Sequence, residues 1–551
     1  MNNGTAANSK RLLWAGFFAI FASGVGFSVR GGILVDWAKD YGFTQLELGG
    51  ISGGGLWGFG LIILAGAFLA EWIGYGRLMA LAVLMHLLSA GLQLCTGEIY
   101  ERFGKDATMY SLTIAMFLFA VGNGICEAVV NPMVAALFPD RKTHYLNILH
   151  AGWPGGLIAG GVLSYLMNGG SIGEWVPIGK VHWLIQMSMF LIPVAIYGLM
   201  LAGQKFPKSE AGEAGVSFGT MLLEFLSPIL LLLLLIHALV GYVELGTDSW
   251  IPKITGGIFN NPAWGMLLFI YTSGLMFALR FFAGPIEHKL TPLGLLCISG
   301  ILGCCGLTLL GNATGVFMCV VAATIYALGK TFLWPTMLAI VSERFPKGGS
   351  LTIGAVGGVG MLSAGLLGAP GIGFKQDYYA TTELKSKSEE TYVRYSAKEE
   401  KTFLVEFKVR GLDGTKQAIL DLDETEKALE KDAAKAPNEN VKKELEQKAK
   451  DTQGELERTL KNQPPTKGNE QSLTEWWAAS KPFADKDGPL VKEANLFGGQ
   501  MALKLTAIVP ATMAVLYLLL IGYFKMRGGY TKVQIDETAE KAKEMMNIME
   551  A

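Results

Sequence analysis

Four ionisable residues stand inside long apolar runs of this chain: Arg30, Glu127, Glu244 and Lys330. At the centre of a hydrocarbon layer each such residue costs roughly 2.5–3.5 kcal/mol on insertion scales, so it persists where it faces a partner or a cavity. Glu127 precedes Pro132 by five residues and Lys330 precedes Pro335 by five, with opposite charges at matching places. Arg30 and Glu244 match within one residue of a second alignment, again with opposite signs. The four charges sum to zero, which a set of structural ion pairs would also give. The alternative is a polar cavity in which a carboxyl carries a proton alongside a solute, or in which Arg30 and Lys330 receive an anion.

Other residues can join that chemistry. Asn131 lies four residues after Glu127, on the same helical face, and can hydrogen-bond a hydroxylated ligand or a neighbouring helix. Trp334 takes the corresponding place in the second half and offers an aromatic face. His150 and Trp153, where the next helix opens, are further cavity candidates. His86 and His237 read as core histidines, Arg280 as a cation snorkelling at the end of helix 8, and Asp248 and Trp250 as residues of an interfacial belt. Pro132 and Pro335 each remove a backbone hydrogen bond, so bends in matched helices are expected, suited to a gate below a central site.

The elements that position these residues follow from composition. Of 551 residues, 51% are hydrophobic and 17% charged, against about 25% charged in ordinary soluble domains. The 70 glycines fit helices that approach closely in a bilayer. Apolar runs long enough to cross a layer ~30 Å thick fall at 12–35, 46–70, 78–97, 109–138, 146–168, 183–203, 225–247, 263–284, 292–311, 314–342, 350–373 and 499–524. An all-α polytopic membrane protein of about twelve spans is expected. The first run continues too far for a signal peptide and lacks a small-residue cleavage site before Arg30. The six cysteines all lie in apolar segments, so no disulfide framework follows.

An even number of spans puts both termini on one side. With the termini cytoplasmic, inner segments hold Lys10, Arg11, Arg77, Arg141, Lys142, Lys205, Lys208, Lys289, Arg344, Lys347, Lys525 and Arg527; short outer loops hold only Lys39, Arg102, Lys105, Lys180 and Lys253. The excess of inner cations favours that orientation in a cell membrane. The chain also repeats itself. NPMVAALFPDRK from Asn131 is echoed by WPTMLAIVSERFPKGG from Trp334, and each precedes a glycine-rich helix. Two parallel six-helix halves are expected: bundle residues 1–203, a central loop 204–224, helices 7–11 at 225–373, helix 12 at 499–524 and a tail 525–551. Residues 374–498 interrupt the second half with a polar block, read as a solvated, mainly helical arm with a strand pair near TFLVEFKVRG. Its functional reading is an outer partner or gate; the plainer one is an insertion without a role in transport.

The segment GAFLAEWIGYGRLM between helices 2 and 3 resembles the signature loop of the major facilitator superfamily, with Glu71 at the usual aspartate position, Gly74 at the glycine and Arg77 one place late. Within it, ICEAVVNPMVAALFPDRKTHYLNILHAGWPGG looks like the fucose/glucose–proton symporter branch, through Glu127, Asn131, Pro132, Leu146 and Asn147. That resemblance implies alternating access, with Glu127 coupling protons and contacting sugar, and Asn131 as a sugar contact. It departs where the branch has an aspartate in helix 1, since SVRGGIL brings Arg30 and Gly31 there. The expected function is therefore secondary transport of a small hydroxylated solute, a sugar with a proton. The alternatives are an organic-anion or sugar-acid carrier using Arg30 and Lys330, and a transporter-like receptor acting through the insertion. No nucleotide loop, metal-ligand spacing or nucleophile triad is present, so no enzyme activity, cofactor, metal or nucleic-acid partner is expected.

Overall fold

The computed structural model describes residues 3–41, 45–167, 181–397, 400–404, 407–461 and 472–535. The first bundle contains α1 (Asn3–Tyr41), α2 (Gln45–Ile73), α3 (Tyr75–Leu94), α4 (Thr96–Leu137), α5 (Lys142–His150 and Gly152–Met167) and α6 (Trp183–Ser188 and Leu191–Leu201). The second contains α7 (Pro228–Gly241, running on through a π-helical turn at Tyr242–Gly246), α8 (Pro262–Arg280), α9 (Pro292–Leu310) and α10 (Val316–Lys330 and Leu333–Arg344). It is completed by α11 (Gly349–Ser363, a π-helical turn at Ala364–Gly368, then Ala369–Lys387) and α12 (Ala484–Thr506 and Ile508–Met526). Among the described residues nine of these are long and apolar enough to cross a membrane as they stand; α8 makes ten, joined at a 70° bend to the short helix Ala283–Leu290. The apolar stretch Trp57–Ile73 of α2 and the two-piece α5 complete twelve.

Small residues set how closely the rods pack. A Cβ on Gly156 of α5 would lie 2.3 Å from the carbonyl oxygen of Phe21 in α1. In the second bundle a Cβ on Gly241 of α7 would lie 1.9 Å from the carbonyl oxygen of Gly360 in α11. Helices 1 and 5 of one half thus meet backbone to backbone as helices 7 and 11 do in the other, the repeat carried into packing. The two bundles face each other along α2–α11, where Leu362 seats against Gly60, and along α5–α8, where Phe277 seats against Gly155.

The two ends of the described chain share one face: Asn8 bonds the Lys205 carbonyl beyond α6, and Lys532 reaches both Glu343 in the last turn of α10 and the Asp140 carbonyl after α4. On this face the seam is closed by polar contacts. Lys142 Nζ donates to Glu210 of the central loop (2.8 Å) and to the Ser342 carbonyl (3.2 Å). Asn147 donates to Thr336 Oγ1 (3.3 Å), and Tyr75 and Ser350 hydroxyls meet at 2.8 Å.

The polar block is more than the solvated arm that its lysines and glutamates suggest. Both α11 and α12 run far past their apolar spans into it, to Lys387 and from Ala484, so they form its stem. On that stem sit helices Glu389–Tyr395, Gly414–Ala433, Glu439–Lys461 and Leu473–Ser480, and the antiparallel strands Lys401–Phe403 and Phe407–Val409. They enclose a core of their own around Tyr395, Ile419, Leu420, Trp476 and Trp477. Fully buried Asp487 accepts a fork from Arg394 (Nε and Nη2 each 2.7 Å) and a bond from Thr391 (2.7 Å), fixing the first helix to the stem.

A side chain at Gly241 has nowhere to go except into a backbone carbonyl. Gly241→Ala is expected to destabilise the second bundle by about 1–3 kcal/mol, read as a lower thermal midpoint in detergent. Gly522→Ala, with nothing within 4 Å, serves as the control and stays at or above the parent.

Candidate functional site

Between the bundles, near mid-depth, lies a small cavity of about 20 Å³, lined by Phe59, Glu127, His150, Trp153, Glu244, Leu245, Arg280, Trp334 and Met361. That is room for about one water. It draws on both halves, α2, α4 and α5 from one, and α7, α8, α10 and α11 from the other. Glu127, Glu244, Trp334, His150 and Trp153 therefore meet as the sequence suggests, with Asn131 directly behind them.

Glu127 and Asn131, one turn apart on α4, are locked together: Asn131 Nδ2 donates to the Glu127 carboxylate (2.8 Å) and to its own turn's carbonyl, that of Glu127 (2.9 Å). Asn131 Oδ1 bonds His150 Nε2 at 2.8 Å, and that nitrogen lies 4.0 Å from Glu127 Oε2. The side chains of α4 and α5 thus form one polar chain ending on a carboxylate that faces the cavity. Trp334 packs edge-on to His237 of α7 (4.6 Å between centroids), and its indole N–H is buried without a hydrogen-bond partner among the described residues. Trp153 supplies the facing aromatic surface.

The partners of the charges differ from those expected. Glu244 is bound by Arg280 (Nη2 to Oε1, 3.0 Å), the residue read as a snorkelling cation. Arg280 is 1% exposed, and it also donates to the carbonyls of Thr331 (2.9 Å) and His150 (2.6 Å). Its span ends in the 70° bend at Phe281–Phe282, which turns the last residue inward instead of toward a headgroup layer. Lys330, also 1% exposed, pairs with Asp248 at 2.5–2.6 Å instead of with Glu127 or an anion. Asp248 is therefore an internal counter-ion, not a belt residue, and Trp250 is tied inward by its N–H to the Ala369 carbonyl (2.8 Å).

Arg30 does not reach the cavity. Its guanidinium lies over Phe119, 4.7 Å from the ring centroid, and Phe119 is eight residues from Glu127 toward the insertion face. Its Nε and Nη2 are buried without a hydrogen-bond partner among the described residues. The reason is registry: Arg30 and Glu244 match in sequence, but α7 contains the π-helical turn Tyr242–Gly246 and α1 is regular there, which rotates the two side chains differently.

The expected matched bends are also unequal. The backbone of α4 stays helical through Pro132, with its one break at Gly104. By contrast α10 breaks at Thr331–Phe332, directly before the turn that holds Pro335. At the signature loop, Gly74 has φ 85°, a conformation that favours glycine. Glu71 accepts from the Ser350 N–H (3.0 Å) at the start of α11 and from Ser209 (2.9 Å), placing a carboxylate at a helix N-terminus across the seam; Arg77 is exposed nearby. His86 is a core residue as expected, bonded to Tyr197 (2.8 Å) and Asn123 (3.0 Å).

Two bundles of membrane-spanning length that meet at a charged cavity between them have the architecture of a solute transporter. The chain belongs to the Major Facilitator Superfamily, whose sequence profile matches residues 16–369, from within α1 to where the stem of the insertion begins. It is a multi-pass membrane transporter, not an enzyme. No curated relative matches it by sequence. Among solved structures it is similar to the fucose:proton symporter FucP of E. coli, seen in an outward conformation, with TM-score 0.53 and 18% identity over 67% of this chain and 92% of that one. It is similar to the proton:xylose symporter XylE bound to 6-bromo-6-deoxy-D-glucose, with TM-score 0.56 and 12% identity over 66% and 88%. A bacterial homologue of the human lysosomal transporter Spinster, inward-facing and unoccupied, aligns over 94% of this chain and 97% of its own, with TM-score 0.56 and 12% identity. At these identities the likeness is one of fold.

Removing one member of a buried ion pair leaves the other uncompensated. Asp248→Asn is expected to cost about 3–5 kcal/mol by stranding Lys330, seen as a large drop in thermal midpoint. Adding Lys330→Met to it should recover most of the loss.

Proposed function

We propose that the chain moves a small hydroxylated solute, a sugar, together with a proton by alternating access between its bundles. The observation that carries this reading is the cavity itself. A carboxylate with an amide donor and no bonded lysine or arginine among the described residues, Glu127, faces Trp153 of its own bundle and Trp334 across the seam. Alternate aromatic faces and polar groups are what a sugar ring presents a use for, since its C–H faces stack and its hydroxyls hydrogen-bond.

In this reading Glu127 is the coupling group. Its charge is uncompensated by a salt bridge, so a proton bound there neutralises it in a buried setting. Asn131 and His150 hold the carboxyl and offer hydrogen bonds to solute hydroxyls, while Trp153 and Trp334 offer stacking surfaces. The seam contacts of Glu71, Tyr75, Lys142 and Asn147 act as the gate on the termini face, and the excess of cations on that side supports reading it as the cytoplasmic face of a plasma membrane. The sugar:proton symporters among the similar structures support the same choice. An anion carrier built on Arg30 and Lys330 is less well supported, because Lys330 is already neutralised by Asp248 and Arg30 lies away from the cavity.

The test uses purified protein in proteoliposomes with a pH-sensitive dye outside. L-fucose, D-glucose, D-xylose and D-gluconate are added in turn. A neutral sugar should alkalinise the outer medium, and Glu127→Gln should abolish that signal while leaving sugar exchange measurable. Entry of gluconate without proton movement, unchanged in Glu127→Gln, would overturn the reading in favour of an anion carrier. Replacing residues 389–483 with a short Gly/Ser linker should leave sugar-driven proton flux in place. Its loss in a protein that keeps its thermal midpoint would favour action through the insertion.

A further inference from the structure

Two carbonyl groups beside the cavity lack the donor that a helix would supply. In a continuous helix the carbonyl of residue i accepts from the N–H of residue i+4. Four residues beyond His150 stands Pro154, and four beyond Thr331 stands Pro335. Proline has no N–H, so both carbonyls are left over. The two segments read HAGWP and TFLWP, each with a cavity-lining tryptophan just before the proline, although they lie on non-equivalent helices of opposite bundles.

One side chain takes both. Arg280 Nη1 donates to His150 O and Nε donates to Thr331 O, while Nη2 holds Glu244. The planar fork of a guanidinium suits three acceptors set around it in a way that the point charge of a lysine does not. Of these bonds, the one to His150 crosses from the second bundle to the first, at the depth of the cavity. Those of Asn147 and Lys142 cross nearer the termini face.

We propose that Arg280 is the positioning residue that holds the termini half of the seam shut, with Pro154 and Pro335 preparing its two carbonyl acceptors and Glu244 its counter-charge. This rests on the transporter reading, since a seam that opens is what makes the tie matter. To expose the cavity on the termini face, α5 must part from α8 and α10, and the bond to His150 O must break. The charged and titratable groups around the guanidinium are Glu244 and Asp248 of α7, Glu127 of α4, His150 of α5 and Lys330 of α10, with His237 of α7 facing His150. Neutralising Glu244 leaves Arg280 a buried cation without its counter-ion, a state that entry of water relieves. A change of charge at Glu244 is thereby converted into a bias toward opening.

The experiment measures the seam directly. Spin labels replace exposed Lys205, after α6, and Lys289, in the helix that follows α8, in a background without the six native cysteines. Distances are recorded by double electron–electron resonance in nanodiscs without added solute. Pro154→Ala returns an N–H that competes for His150 O, and it should raise the ratio of long to short distances by about tenfold or more, as expected for loss of a charge-assisted bond. Arg280→Lys and Glu244→Gln should do the same, and Pro335→Ala, whose carbonyl lies within one bundle, should do so less. If Pro154 and Arg280 were only structural, Pro154→Ala would keep or raise the thermal midpoint with unchanged distances, and that result overturns the proposal. Should Arg280→Lys fail to fold, Pro154→Ala alone decides. The dye assay on the parent keeps the two readings apart: absent proton-coupled sugar flux counts against the transport chemistry, whereas unchanged distances count against Arg280.

Discussion

Uncompensated charge is costly to keep inside a helical bundle, and most of what is unusual about this structure follows from that constraint. The middle of the molecule holds three cations and three carboxylates, Arg30, Arg280, Lys330, Glu127, Glu244 and Asp248. The second bundle balances its own. Both of its acids sit on α7, four residues apart, and each draws its cation from a different neighbour, α8 for Glu244 and α10 for Asp248. Helix α7 is in this way pinned on two sides by ionic contacts. The first bundle gives neither of its charges a lysine, arginine or carboxylate partner among the described residues, Glu127 having only the His150 imidazole at 4.0 Å, and of the two only Glu127 reaches the cavity. The asymmetry distinguishes the two bundles: one pairs its buried acids with cations, and the other holds its carboxylate through an amide.

Backbone geometry serves the same end. The π-helical turns of α7 and α11 lie against each other, where a Cβ on Gly246 would come within 2.7 Å of Gly368 Cα. A π turn widens a helix and shifts the phase of every side chain beyond it. Here it separates the aim of Glu244 from that of the residues before the turn and lets glycine backbones fit together at the widened point. The close approach at Gly241 and Gly360, one to two turns earlier, keeps α7 and α11 in register for that fit. Packing, register and charge pairing along α7 are thus one solution.

Much of the architecture was legible in the chain itself, because in a membrane the costly features stand out. Twelve apolar runs, a repeat with matched prolines, and Glu127 with Asn131 one turn later all read directly, and the structure places Glu127, His150, Trp153, Glu244 and Trp334 at one cavity with Asn131 bonded behind them. What a sequence leaves open is rotation about a helix axis. Arg30 and Glu244 align in the repeat, yet a π turn in only one of the two helices sends them to different places. Arg280 looked like an end-of-span cation because it is the last residue before a break; the chain turns by 70° at Phe281–Phe282, ahead of Pro285, and rotation and bend at a break are not written in the sequence. A signal for it was present all the same. A carbonyl four residues before a proline needs a donor from elsewhere, and HAGWP and TFLWP both advertise one. Asp248 was hidden by its nearness to Trp250, which suggested an interface where the fold has an interior.

The insertion shows how a soluble module can be attached to such a machine without disturbing it. Its stem is made of α11 and α12, both from the second bundle, and its own core and the Arg394–Asp487 fork bind it to that stem. The strand pair packs Phe403 and Phe407 on Phe374 of α11, again within the same bundle. Since α11 also forms the long contact with α2, the module extends one of the surfaces along which the bundles meet. Among the described residues these attachments all lie on elements of the second bundle, so the module adds its own core to the fold without entering the contacts that line the cavity.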